Sequence, residues 1–200
     1  MKSAAIYSRI VSPLLSSAYR RRGIHVAEDV SFFGLPLIAQ HAESKISLGR
    51  DVTIISVGRY TALGVPQRTL LRTVLPGASI SIGSDSGLSG AVIVAARQVA
   101  VGDRCLIGAG AMVVDTDFHP VAAGDEPRRH ASLASADSDV VNIGDDVFIG
   151  ARAIVLKGAS IGNGSVVGAG AVVTGQWPAG SIIGGNPARL LGNVKGQRVP

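Results

Sequence analysis

His119 sits in the segment Asp115-Thr116-Asp117-Phe118-His119-Pro120. A histidine is the side chain whose proton affinity lies nearest neutrality. Set against a hydroxyl, its imidazole can take a proton and later return it to a leaving group, which is the work of a general base. Two carboxylates precede it. Asp117 is the candidate to orient the imidazole and Asp115 the candidate to bind acceptor hydroxyls; the plainer reading of both is turn formation by side-chain to backbone hydrogen bonds. His25 and His41 stand in a stretch without such neighbours and read as surface or packing residues.

A base of this kind needs a rigid frame, and the composition says what sort. The chain has 200 residues, 46% hydrophobic, 16% charged and only 4% aromatic, with 26 glycines. Small and aliphatic residues must therefore build the core, and disorder is excluded. A single cysteine excludes an internal disulfide framework and any multi-cysteine metal site, which fits a reducing cytoplasmic setting. The net charge of +5 is scattered except at Arg20, Arg21 and Arg22, so no nucleic-acid footprint emerges.

The first 22 residues read as a short amphipathic helix. It would either pack on the end of the domain or touch a membrane weakly through Ile6, Ile10, Leu14 and the arginines, peripheral to the inner face. No apolar stretch approaches the ~20 residues of a spanning helix.

The frame itself appears as a period of six. Ile143, Ile149, Val155, Ile161, Val167 and Val173 open successive hexads, each with a compact residue two places before it: Val141, Val147, Ala153, Ala159, Ser165 and Ala171. The pattern runs upstream through Ile82, Leu88 and Val94, then Val101, Ile107 and Val113, with Leu48 and Ile54 as hints of further turns. Six residues fit neither a helix nor a long strand, but suit short strands joined by tight turns rich in Gly, Asn and Asp. Cys105 takes an inward position and reads as a small core residue.

Sorting the outward residues by an eighteen-residue coil predicts three faces: Ala100, Asn142 and Ser160; Leu106, Phe148 and Val166; Met112, Ile154 and Val172. Two of these are apolar stripes meeting at an edge, which suits a cyclic homotrimer. The predicted organisation is a helix at 1–22, an irregular part with partial coils at 23–79, the repeat domain at 80–182 with an inserted loop at 119–139, and a tail at 183–200.

These hexads resemble the hexapeptide-repeat acyltransferases, an all-β family of left-handed parallel β-helices; a protruding loop and a short N-terminal helix would complete the fold. The segment from Asp115 to Pro120 resembles the active-site stretch of the sugar O-acetyltransferases of that family, the galactoside and maltose acetyltransferases among them. The resemblance implies acetyl transfer from acetyl-CoA to a sugar hydroxyl, in bacterial exopolysaccharide, capsule or lipopolysaccharide synthesis, with His119 as base in sites between subunits. The acceptor would be a carbohydrate, a nucleotide sugar or a lipid-linked glycan. Carried over residue by residue, it also implies donor contacts at Ala151 and Ala169 through their backbones, at Thr174, at Arg189 and at Phe148. Gly175 stands where many relatives carry Lys, a gap that Lys195 or Arg198 would fill. The family's acceptor asparagine is not recognisable; Ser86 or Ser89 stand in for it. Arg128 and Arg129, beside His130, are candidates to attract donor or nucleotide-sugar phosphates.

An amino-sugar N-acetyltransferase or a serine-type O-acetyltransferase is the close alternative, and a scaffold without catalysis a remote one. No metal is expected, since the histidine spacing does not match a zinc site of the carbonic anhydrase type.

Overall fold

The structure, a computed structural model, describes residues 2–119 and 133–195, with residues 2–7 by backbone alone. Arg128, Arg129, His130 and Arg198 lie outside the described residues. The chain opens with α1 (Lys2–Arg21) and then winds as triangular coils. The first coil is β1 (His25–Val26), β2 (Ser31–Phe33) and β3 (Leu37–Ala39); the second is β4 (Lys45–Leu48), β5 (Thr53–Ile55) and β6 (Leu70–Thr73). The third is β7 (Ser79–Ile82), β8 (Gly87–Ser89) and β9 (Val92–Ala95); the fourth is β10 (Gln98–Val101), β11 (Leu106–Ile107) and β12 (Met112–Val114). The fifth is β13 (Val141–Ile143), β14 (Phe148–Ile149) and β15 (Ile154–Val155); the sixth is β16 (Ser160–Ile161), β17 (Val166–Val167) and β18 (Val172–Val173). β19 (Gln176–Trp177) and β20 (Ser181–Gly184) start a last turn, and β21 (Arg189–Asn193) folds back antiparallel on β20. The fold is a left-handed parallel β-helix.

Equivalent strands of successive coils pair in parallel, giving three sheets, one per prism face. The first strands of each coil form sheet A, the second sheet B and the third sheet C. The outward columns predicted from the sequence are the observed register: Ala100, Asn142 and Ser160 pair on sheet A, Leu106, Phe148 and Val166 on sheet B, and Met112, Ile154 and Val172 on sheet C. The inward columns are buried, with Ile54, Leu88, Ile107, Ile149 and Val167 stacked on sheet B. Each such aliphatic contributes ~1.5–3 kcal/mol on burial, so aliphatics carry most of the core, with Phe32 buried in the first coil against Tyr19 of α1.

Two sequence expectations change. The coils begin at His25, within the part read as irregular, because an excursion between β5 and β6 breaks the six-residue spacing and hides the earlier turns. On sheet C the residue stacked on Val113 is Ile93, not Val94; Val94 pairs one place on, with Val114.

The corner between sheets A and B shows why the coils can turn so tightly. Asp29, Asp51, Asp85, Arg104 and Asp146 all have φ between 54° and 58°, a left-handed conformation that Asp tolerates and Arg rarely adopts. Arg104 is held there by a forked pair with Asp146, Nε to Oδ1 at 2.7 Å and Nη2 to Oδ2 at 2.8 Å. The same corner carries a side-chain ladder in which Ser84 Nα donates to Asp103 Oδ1 at 2.7 Å, Asp103 to Asp145 at 2.9 Å and Asp145 to Asn163 at 3.0 Å.

Candidate active site

The loop that carries His119 leaves the prism at the end of β12, on the edge between sheets C and A, and returns at β13. Its stem is anchored by Asp115. This carboxylate is fully buried; Oδ1 accepts the Ala96 N–H at 2.6 Å, and Oδ2 accepts those of Arg97 at 2.7 Å and Gln98 at 2.6 Å. Those donors form the turn of the preceding coil, so Asp115 staples the loop to the coil below. Burial pushes its carboxyl above the ordinary range, against the backbone donors, which pull it down. The expectation that Asp115 binds acceptor hydroxyls is therefore corrected: it is a structural anchor without access to substrate.

Thr116 is also buried, and its Oγ1 accepts the Phe118 N–H at 3.1 Å. Phe118 has φ 61°, a conformation a bulky side chain adopts only when its surroundings force it. His119 follows directly and is exposed. Asp117 is held by Lys157, whose Nζ lies 2.6 Å from Asp117 Oδ2 and 3.7 Å from Asp139 Oδ1. The hydrogen bond to Asp117 is the main cause that holds Lys157 above the ordinary lysine range. Lys157 thus touches both the outgoing and the returning stem of the loop. On the return side Asp137 pairs with Arg97 and the Gly158 N–H donates to the Asp139 carbonyl at 2.8 Å. Sequence reasoning missed Lys157 and Arg97, which lie in ordinary turns of the repeat; only the stacking of coils brings them to the loop.

Four further expected site residues, Ser86, Ser89, Phe148 and Ala151, meet at a cleft on sheet B. The cleft, about 410 Å³, is roofed by Thr61 and Leu63 of the excursion between β5 and β6, and its walls include Ser89, Leu106, Phe148 and Ala151. It is mostly apolar. A second cleft of about 330 Å³ continues past Leu63 and Ala151 to Val65, Pro66 and Arg152. Ser86 borders the first cleft but is corrected as a substrate contact: it is buried, its hydroxyl donates to the Gly102 carbonyl at 3.0 Å and accepts the Cys105 N–H at 3.0 Å. Cys105 is buried beside it, and burial pushes its thiol up, which disfavours the thiolate a nucleophile needs.

The remaining donor residues are not gathered into one place within the chain. Ala151 and Ala169 follow one another along the edge between sheets B and C, since the Gly170 N–H donates to the Ala151 carbonyl at 3.0 Å. Thr174 lies on the other edge of sheet C, the one His119 leaves from, and its carbonyl accepts the Trp177 Nε1–H at 2.9 Å. Arg189 is exposed on β21 at the far end of sheet B. Among the described residues no group of three His, Cys, Asp or Glu side chains is placed to hold a metal ion. A further cleft of about 740 Å³ lies between α1 and the first two coils, far along the prism from the loop.

The signature of the "Hexapeptide repeat of succinyl-transferase" matches residues 98–126 and 140–175. A 2,3,4,5-tetrahydropyridine-2,6-dicarboxylate N-acetyltransferase of Staphylococcus aureus is 49% identical over 51 residues, 26% of this chain and 21% of that protein. The chain thus spans about a fifth of the length of the curated relatives it matches. Among solved structures, an N-acyltransferase from Bacillus cereus in complex with dTDP and 3-hydroxybutyryl-CoA superimposes with a TM-score of 0.65 at 18% identity, over 89% of this chain and 87% of that one. A hexapeptide-repeat acetyltransferase from Vibrio cholerae in complex with acetyl-CoA gives 0.56 at 21% identity, over 92% and 78%. The matched signature covers about a third of the chain, and the solved structures share with it the left-handed parallel β-helix into which its six-residue repeat is wound.

Proposed function

We propose that the chain is an acyltransferase that moves an acetyl group from acetyl-CoA to a sugar hydroxyl, with His119 as general base. The observation that carries this reading is the placement of His119: exposed, one residue past a constrained Phe118, on a loop whose stem is fastened to the coils below and above. A fold by itself would not select a chemistry. The imidazole takes the proton of the acceptor hydroxyl as its oxygen attacks the thioester carbonyl. The tetrahedral oxyanion collapses with cleavage of the C–S bond, and the imidazolium returns the proton to the departing thiolate, leaving an acetyl ester and free CoA. Asp117, engaged by Lys157, positions the loop.

The apolar run from Phe148 and Ala151 past Leu63 to Arg152 suits a pantetheine arm with a cation near its phosphates. His119 and this run flank opposite edges of sheet C, so one chain supplies the two halves of a site to different clefts. A homotrimer joined through the apolar faces of sheets B and C would bring the loop of one copy to the cleft of the next. The acceptor in this reading is a carbohydrate, nucleotide sugar or lipid-linked glycan of bacterial surface polysaccharide synthesis, on the cytoplasmic side where acetyl-CoA is made. An amine acceptor is the second reading, favoured by the N-acyl activity named for the Staphylococcus and Bacillus proteins.

Calorimetric titration with acetyl-CoA, followed by an acceptor panel of neutral and amino sugars, tests both. Saturable binding of one acetyl-CoA per chain is expected, with transfer to hydroxyls that falls on the order of a hundredfold or more in His119→Ala while donor binding persists. Normal transfer by that variant would refute the base, and preference for amines would select the second reading.

A further inference from the structure

α1 packs on the domain with the face its hydrophobicity does not predict. Ser8, Ser12, Ser16 and Tyr19 are buried against the first coil, while Ile10 and Leu14 are 63% and 67% exposed. The reason lies in the coil. Its open end presents backbone groups that have no preceding coil to pair with, and such an edge needs polar partners. α1 supplies them: Ser12 Oγ accepts the Phe32 N–H at 2.8 Å, Tyr19 Oη donates to the Pro36 carbonyl at 2.8 Å, and Arg20 donates to the carbonyls of Val26 at 2.7 Å and Ala27 at 2.8 Å. With its hydroxyl side turned inward and Leu15 packed at its border, the helix is left with Ile10 and Leu14 turned out.

That outward side is bordered by exposed Arg9, Arg21 and Arg22, and the helix contains no Asp or Glu. Aliphatic residues between cations are the pattern of a helix that lies in the interface of an anionic bilayer. We infer that α1 docks the protein on an anionic phospholipid surface, with Ile10 and Leu14 entering the headgroup boundary and the arginines meeting lipid phosphates. No helix of the described residues is long and apolar enough to cross a membrane, so the contact is peripheral. A trimer joined through its side faces would point all three helices to the same side, and three weak contacts would act as one strong one. The inference itself rests on α1 alone and stands apart from the acyl-transfer reading.

Flotation of the full chain with vesicles tests it. The protein is expected to rise with vesicles rich in phosphatidylglycerol, to stay down with pure phosphatidylcholine, and to lose the contact in high salt. Ile10→Gln with Leu14→Gln should reduce the floated fraction about tenfold or more. Their side chains face solvent, so thermal unfolding and acetyl-CoA binding should be unchanged. Absence of flotation with anionic vesicles, or equal flotation of the double variant, would overturn the inference. So would a double variant that drops to a smaller oligomer in light scattering, since the stripe would then be a contact between copies.

Discussion

Asp115→Asn separates an anchor from a substrate contact, because it preserves shape and removes only charge and one acceptor. In the wild type Oδ1 accepts one N–H and Oδ2 two. The better amide orientation keeps its oxygen at the Oδ2 position and turns an NH2 toward the buried Ala96 N–H. One buried donor left unpaired costs ~1–3 kcal/mol, and the other two bonds lose the assistance of a charged acceptor. A total of about 2–4 kcal/mol corresponds to a melting temperature lower by roughly 5–15 °C for a domain of this size. Thermal unfolding by circular dichroism reads this directly. The pH dependence gives a second check. Burial raises the Asp115 carboxyl in the folded state, so the folded chain holds more protons than the unfolded one between the ordinary carboxylate value and the raised one. Stability contributed by this group therefore falls as pH rises through that window, and the Asn variant lacks the slope. A variant that melts like the wild type and only weakens acceptor binding would refute the anchor and restore Asp115 to the substrate.

Lys157→Met releases both stems of the His119 loop. The ion pairs are partly exposed, so stability should change by less than ~1 kcal/mol, while the turnover rate falls on the order of tenfold through misplacement of the base and acetyl-CoA affinity holds; Lys157→Arg should recover most of the rate, and an unchanged rate in the Met variant would show that the clamp is idle. Gly102→Ala would put a Cβ 2.7 Å from the Gly144 carbonyl group of the next coil, so a loss of ~1–3 kcal/mol is expected in denaturant unfolding. Ile149→Ala empties a fully buried position in the sheet B column and should cost ~2–5 kcal/mol by the same measurement.

The repeat of six was legible because each hexad repeats the same physical demand: one aliphatic residue inward, a compact one before it, and a turn that accepts unusual backbone angles. That periodicity sufficed to predict which outward residues pair, and Leu106 with Phe148 and Met112 with Ile154 are so paired. His119 was legible by residue type beside a break in the pattern. The first coils were less so, because the excursion between β5 and β6 interrupts the count.

Contacts between coils belong to the tertiary structure. Asp115 and Asp117 look alike in sequence, yet one turns inward to three backbone donors and the other outward to Lys157, forty residues along. Ser86 and Ser89 both border the cleft, yet the Ser86 hydroxyl is spent on bonds between coils while Ser89 is half-buried at the wall. The helix was visible in the sequence, but its orientation was set by the unpaired backbone at the open end of the first coil, which draws in hydroxyls and leaves Ile10 and Leu14 outside. Periodic burial is a local demand that a sequence states at every turn; hydrogen-bond pairing across coils is settled only once the coils are stacked.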